Sequence, residues 1–421
     1  MGTYAVQSNV ICGLTKIEYN LLREMCRYSN NLYNVALYNI RQYFFNEKKY
    51  LTYENNYHEC KRNENYTLLQ AGISQQIMRV VDRSFKSFFN LLKKCKSGDY
   101  HYQDVKLPHY RKKGGMFALI LSINAILIKD GFLKIPMSRA FRSLHPEVED
   151  ILIRFPKRLS DKKIKEVRIL PINNGQFFKI QYVYEVSQEI CELNKNNALS
   201  IDLGVDNLAT CVSTVGMSFL IDGRKIKSIN HRWNKEKARL QSIAKKQGMY
   251  QTSRMCKITE KRNNQVNDTI KKAARYIVNY CITNNIGTLI VGYNPDFKRF
   301  SDIGKTNNQN FTQLPFGAFR QQLSFLCWKY GLDYIEQEES YTSKSSFLDR
   351  DDLPVYDVKN SYKGAFSGKR ISRGLYKSKN GTVINADVNG SANIMRKCRQ
   401  NLNYKELCKG LLASPQRIRL S

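Results

Sequence analysis

Two aspartates stand in unusual company. Asp202 lies in the apolar run Ala198-Leu199-Ser200-Ile201-Asp202-Leu203-Gly204-Val205, which reads as a central strand. Asp387 lies in Val383-Ile384-Asn385-Ala386-Asp387-Val388-Asn389-Gly390, where a helix begins. A bare carboxylate among apolar neighbours is unfavourable unless it is paired or holds a cation. Magnesium, with manganese as an alternative, takes oxygen ligands, so Asp and Glu are the residue types such a site needs. Two divalent ions can activate a water and stabilise the leaving oxygen in phosphodiester cleavage. Each aspartate also has a plainer reading. Asp202 could be a hydrogen-bonded core acid, and Asp387 a helix N-cap.

The rest of the composition favours a polyanionic substrate. The 421 residues include 68 Lys and Arg against 36 Asp and Glu, a formal net charge of +32. That excess calls for acidic partners, with nucleic acid first and an anionic membrane surface second. No run of about 20 apolar residues exists, which argues against a membrane protein. The N-terminus lacks the charged and apolar regions of a signal peptide. Eleven cysteines are scattered with no CxxC pair, and the five histidines do not cluster with them. Such a set fits reduced thiols in a cytoplasm and gives no ground for a zinc site.

The elements that must position the acids follow from periodicity. Residues 1–13 alternate as a strand. Thr15 with Glu18 three residues on forms a capping box ahead of a helix with Leu21, Leu22, Met25, Cys26, Leu32, Tyr33, Ala36, Leu37 and Ile40 at helical spacing. A second helical region covers 52–94. The basic connector Lys106-Leu107-Pro108-His109-Tyr110-Arg111-Lys112-Lys113 follows. Strand-like runs at 117–128, 132–135, 151–155, 165–170 and 176–184 are punctuated by Pro and Gly. The expected organisation is a β-rich, wedge-like module (1–13 and 114–193) interrupted by a helical insertion (14–113). A polar linker at 194–197 leads on to strands at 198–205, 208–213 and 217–221. A basic helix at 233–284 with a break near Gly248 comes next, then a strand at 286–291, a helix at 314–329, and a strand at 332–335 that runs into Glu338-Glu339. The segment 341–380 reads as weakly structured, 388–400 as the last helix, and Arg417-Ile418-Arg419-Leu420-Ser421 as a loose basic tail. The class is therefore α+β multidomain, and the order after 198 fits an RNase H-like nuclease domain (198–340 and 381–421).

Taken together, these segments resemble the TnpB family, compact RNA-guided DNA nucleases of insertion sequences related to type V CRISPR effectors. In the N-terminal half the resemblance rests on Ser29-Asn30-Asn31-Leu32-Tyr33-Asn34, Arg41-Gln42-Tyr43-Phe44, Ser84-Phe85-Lys86-Ser87-Phe88-Phe89 and Lys106-Leu107-Pro108-His109-Tyr110. In the C-terminal half it rests on Ile201-Asp202-Leu203-Gly204-Val205, Val291-Gly292-Tyr293-Asn294, Glu338-Glu339-Ser340-Tyr341-Thr342-Ser343-Lys344 and Asn385-Ala386-Asp387-Val388-Asn389-Gly390-Ser391-Ala392-Asn393-Ile394. It implies a RuvC-like site in which Asp202 and Asp387 bind magnesium, a guide RNA, a double-stranded DNA target beside a short protein-read motif, and a cytoplasmic protein encoded by a bacterium or phage.

Two departures matter. The family's middle strand carries a glutamate where this chain has Gly292. The nearest replacement is the pair Glu338 and Glu339 ending the neighbouring strand, of which alternation lets only one face the metals. The family's paired CxxC motifs are also missing, so the 341–380 insertion is expected to bind target nucleic acid without zinc. Candidate nucleic-acid contacts are Lys106, Tyr110, Arg111, Lys112 and Lys113 in the connector, Arg239, Lys245, Lys246 and Arg262 in the long helices, and Arg370 and Arg373 in the insertion. Two other readings stay open. One is a nuclease-inactive RNA-guided repressor, favoured by Gly292 and opposed by the two aspartates. The other is an RNase H-like DNA strand transferase acting without RNA.

Overall fold

The computed structural model describes residues 3–215, 217–294, 308–309, 312–356, 364–399 and 414–420. The chain forms two compact α+β units, Met1–Ser187 and Gln188–Ser421.

The first unit opens with β1 (Thr3–Val10), and Thr15 makes the full capping box with Glu18 at the head of α1 (Lys16–Glu47). The expected helical region 52–94 is three helices, α2 (Tyr53–Cys60), α3 (Glu64–Thr67) and α4 (Ala71–Lys96). Asn63 supplies the interruption, because its side chain caps α3 by accepting from Asn65 N. The expected strand 117–128 is also divided. β2 (Leu119–Ser122) and β3 (Leu127–Lys129) join different sheets across a 3₁₀ turn. Next come β4 (Phe132–Ile135), α5 (Arg139–Leu144), β5 (Ile151–Arg154), β6 (Ile164–Ile172) and β7 (Phe177–Val186). One antiparallel sheet has the order β1-β7-β6-β2 and the other β3-β4-β5. Helices and sheets share one core, with Leu22, Met25, Leu37, Phe85, Leu121, Phe141 and Tyr182 buried together. Asparagines on α1 hold the basic connector. Asn34 accepts from Arg111 N at 2.8 Å and donates to Arg111 O at 3.0 Å, while Asn30 donates to Lys112 O.

The expected 194–197 linker is bonded into the second unit, so the division falls at 187/188 and not after 193. Gly287 N donates to Asn194 O, and Asn194 N to the Asn285 side chain. The central sheet contains β8 (Ala198–Asp202), β9 (Asn207–Ser213), β10 (Phe219–Asp222), β11 (Thr288–Tyr293) and β12 (Asp333–Glu338). Helices α6 (Arg224–Lys246), α7 (Ser253–Thr283) and α8 (Phe316–Tyr330) connect its strands. Strands β13 (Lys369–Ser372), β14 (Leu375–Lys377) and β15 (Val383–Asn385) form a small sheet ahead of α9 (Ala386–Cys398). With the last strand, β16 (Gln416–Ile418), the main sheet has the order β12-β11-β8-β9-β10-β16, parallel across β12, β11 and β8 and antiparallel through β8, β9 and β10.

Strand β16 corrects the expected loose tail. It pairs parallel with β10, and Arg417 donates to the Asn207 side chain. The unpaired edge of β10 offers hydrogen bonds that offset the entropy of ordering three residues. Gln400 and Ser421, the ends of the expected last helix and tail, lie outside the described residues.

The described residues of the insertion are more ordered than its polar composition suggests. Asp351 accepts from Ser346 N, Ser367 N and the Ser367 hydroxyl, and Asp349 accepts from the Ser346 hydroxyl and Lys379 N. Among the described residues, no helix is long and apolar enough to cross a membrane.

Candidate active site

Asp202 ends the strand at the centre of the sheet. Its strand is buried on both faces, which explains an apolar run without alternation. Helix α9 packs on this strand through small residues. Ser200 donates to Ser391 O at 2.7 Å, and a Cβ on Gly390 would fall 2.7 Å from Asp202 Oδ2. Only glycine lets the helix come so near the carboxylate. Asp387 sits in the first helical turn, where the dipole favours an anion. It is not the cap. Asn385 accepts from Asp387 N and Val388 N, leaving the Asp387 carboxylate for other work. That carboxylate accepts from Asn207 at 2.7 Å and stands 3.6 Å from an Arg370 guanidinium nitrogen.

The asparagines of α9 hold the Tyr-Thr-Ser segment. Asn389 donates to Ser345 O and accepts from Phe347 N, and Asn393 donates to Thr342 O and Ser345 O. Both side chains are fully buried. Each donates to carbonyls of buried turn residues.

The two glutamates part company. Burial alone would raise Glu338, but hydrogen bonds from Lys397 and Ser340 outweigh it and hold the carboxyl below its ordinary range. Glu339 has no donor among the described residues. Burial and then the Glu338 charge push it up to about 7, against the opposing charges of Arg320 and Lys397. Burial, followed by the charges of Glu339 and Asp387, likewise holds Asp202 well above the ordinary carboxylate range, with Arg370 opposing.

Gly292 explains how Glu339 gets there. In β11, between β8 and β12, Gly292 pairs with Gln337 and Tyr293 with Glu338. A Cβ on Gly292 would fall 2.5 Å from Glu339 Oε2 and 2.6 Å from Ile394 Cδ1. The space where a side chain of β11 would stand is therefore filled by the side chain of Glu339.

Asp202 and Asp387 line a cavity of about 850 Å³ whose walls also carry Arg224, Lys227, Arg370, Arg373 and Arg417. Glu339 is not on that wall. Among the described residues, no three Asp, Glu, His or Cys side chains stand close enough to hold an ion together. The acids are electrostatically linked through Asp202 without closing into one coordination group.

The basic candidates fall into three settings. Lys106, Tyr110, Lys112 and Lys113 are exposed, with Arg41 stacked 4.8 Å from the Tyr110 ring centre. So are Lys245 and Lys246, and Arg239 is exposed but paired with Glu236. Arg111 and Arg262 are turned inward. Arg111 stacks on Phe117 at 4.2 Å and bonds Asn30, while Arg262 stacks on Trp233 and bonds Asn230 and Gln313 O. Both guanidiniums do structural work. Arg370 and Arg373 reach the acids instead, Arg370 beside Asp387 and Arg373 on Asp206.

Sequence reasoning missed Lys397, Arg320, Asn207 and the cavity cations Arg224, Lys227 and Arg417. Only Lys397 had a usable signal, a lysine on the same helix as Asp387 within an otherwise buried stretch. The others converge through tertiary pairing that spacing does not encode.

Residues 181–297 match the family described as OrfB_IS605, a probable transposase, and residues 316–394 match the Cas12f1-like TNB domain. The TnpB-like protein ORF457 of Acidianus two-tailed virus is 23% identical over 410 residues, covering 89% of this chain and 83% of the viral protein. The protein solved by cryo-EM in a Cas12f1–sgRNA–target DNA complex has a similar fold. Its TM-score is 0.58 at 15% identity, over 90% of this chain and 83% of that one. The family matches are of transposase type and Cas12f1-like, and the fold is that of the Cas12f1 protein. Across these matches the chain is similar to TnpB-like proteins.

Proposed function

We propose that this protein is an RNA-guided DNA endonuclease whose RNase H-like, RuvC-type site hydrolyses target phosphodiesters with the help of divalent metal. The observation that carries the reading is Glu339 reaching over Gly292 toward Asp202. A third acid stands where the family's middle strand lost one, which favours a nuclease over an inactive repressor. The strand order β10-β9-β8-β11-β12, with an acid at the end of β8 and another at the head of α9, supports the RNase H-like assignment. The cryo-EM relative's guide RNA and target DNA are the partners proposed here, and both suit a chain of +32 formal charge.

The donor set fits a hard cation. Asp202, Glu339 and Asp387 offer only carboxylate oxygens, and Asp202 and Glu339 have no donor of their own among the described residues. Gly292 and Gly390 keep Cβ atoms off two of these carboxylates. Asp202 and Asp387 on the cavity wall, with Glu339 drawn in beside Asp202, would hold magnesium or manganese, which would supply an activated water and charge stabilisation at the leaving oxygen. The chain's own residues do the rest. Asn207 orients Asp387. Arg224, Lys227 and Arg417 line the cavity with positive charge that draws a phosphate backbone in. Exposed Lys106, Lys112, Lys113, Lys245 and Lys246 add contacts along the backbone, and the open face of Tyr110 can stack on a base. The insertion, with Arg370 and Arg373 at its hairpin, would bind target strand without zinc.

Sequencing the RNA that copurifies with the protein tests guidance. One discrete species is expected, and a random mixture argues for the strand transferase. With that RNA and a matching duplex, Asp202→Ala and Asp387→Ala should lose cutting and keep guided binding. Wild-type rates in either variant would overturn the site. Guided binding by the wild type with no cutting in magnesium or manganese would favour the repressor.

A further inference from the structure

Lys397 is buried, with only 6% of its side chain exposed. A buried ammonium is tolerated only when its three donors find acceptors. Here they do. Lys397 Nζ donates to Glu338 Oε2, to Ser340 O at 3.0 Å and to Pro354 O at 3.1 Å. The other Glu338 oxygen accepts from Ser340 N. The turn is closed on its far side by Thr342, whose hydroxyl donates to Glu339 O at 2.8 Å. Glu339 thus stands between two residues tied to a single ammonium. Its own carboxylate is the one group of the turn left without a donor among the described residues.

The position of Lys397 matters as much as its bonds. It is ten residues beyond Asp387 on the same helix, about 15 Å along the axis. Helix α9 carries Asp387, presses Gly390 against Asp202, and through Lys397 grips the turn that carries Glu339. One rigid element therefore references all three acids. The Pro354 bond adds the start of the insertion to the same anchor.

We propose that Lys397, acting through Glu338 and the 338–340 turn, is a positioning residue that sets Glu339 against Asp202 for metal binding. It touches neither metal nor substrate. This rests on the reading of Glu339 as the third acid. A methionine of similar length would fill the same volume, but it leaves Glu338 without its ammonium, so some loss of stability is expected alongside the metal effect. What methionine cannot do is hold Glu338 and two carbonyls in one geometry.

The test compares Lys397→Met, Lys397→Arg and Glu339→Gln in the full chain with its copurified guide RNA. Two readouts are taken, Mn2+ affinity by EPR titration of free ion and the single-turnover rate on a matching duplex. Losing a residue that holds a metal-binding acid in place costs about 10- to 100-fold in metal affinity or activity. Lys397→Met should show such a drop in both readouts, with guided DNA binding unchanged. Lys397→Arg, which keeps the charge and the Glu338 contact, should recover part of the loss. It also stands in as the test variant if Lys397→Met fails to fold, and must then show the drop itself. A purely structural role would lower the melting temperature and the active fraction but leave the Mn2+ midpoint of the folded protein unmoved, and that result would overturn the proposal. If Glu339→Gln loses cutting while the Lys397 variants match wild type in both readouts, this inference alone fails. If Glu339→Gln cuts like wild type, the third-acid reading fails and this inference falls with it.

Discussion

Aspartates and glutamates are treated in opposite ways at two places in the second unit. In the insertion, Asp349 and Asp351 are surrounded by donors from serines and backbone. Burial works against Asp349, yet hydrogen bonds from Ser346, the Lys379 N–H and Ser367 hold it below the ordinary range. At the sheet end, Asp202 and Glu339 have no donors among the described residues and repel one another. The first pair spends its charge on folding a segment that has no cysteine to bind zinc. The second has no hydrogen bonds to hold its charge and is pushed toward the neutral form, as a site waiting for a cation is. Glu338 and Glu339 repeat the contrast between neighbouring residues, one tied to Lys397 and the other without a donor among the described residues.

The comparison can be broken in several places. The largest effect is expected at Gly292. Gly292→Ala puts a methyl 2.5 Å from Glu339 Oε2 and 2.6 Å from Ile394 Cδ1. Both are ends of flexible side chains, so folding should survive while Glu339 is displaced. Guided cleavage should fall by about the 10- to 100-fold of a disturbed metal shell, with the melting temperature little changed. Wild-type cleavage would mean that Glu339 does not need that space.

A smaller effect, and one of stability, is expected in the insertion. Asp351→Ala leaves Ser346 N and Ser367 N without their acceptor, at about 1–3 kcal/mol. Hydrogen exchange should show faster exchange at both amides. Unchanged protection would remove the idea that carboxylates hold this segment.

The smallest effect has the opposite sign. Asp202→Asn removes a charge that Glu339 and Asp387 oppose. Metal-free protein should gain about 1 kcal/mol, roughly 2–4 °C for a unit of this size. Destabilisation would show that Asp202 is a satisfied core acid after all.

Much of this was legible in the sequence. Asp202 announced itself as a charge in an unbroken apolar run, and Asp387 as an acid beside Asn385, Asn389 and Asn393. The capping box at Thr15 followed from local chemistry, and the pairing of β11 with β12 from the RNase H-like order of the elements. Sequence could not choose between Glu338 and Glu339. The choice depends on Lys397, 58 residues beyond Glu339 and reachable only through the fold. Nor could it separate Arg111 and Arg262 from the exposed cations around them, because stacking on Phe117 or Trp233 leaves no mark on a charge run. The tail was misjudged for a related reason. A three-residue strand has no period to read, and only the open edge of β10 gives it structure.

The central claim is that Glu339 is the third acid of the site, and a pair of substitutions tests it most directly. Glu338→Gln and Glu339→Gln each keep size and polarity and remove one charge. Guided cleavage and guided binding are measured for both, with the copurified RNA and a matching duplex. The account predicts that Glu339→Gln binds its target as wild type does and does not cut, while Glu338→Gln cuts at a reduced but measurable rate. Wild-type cutting by Glu339→Gln would contradict it.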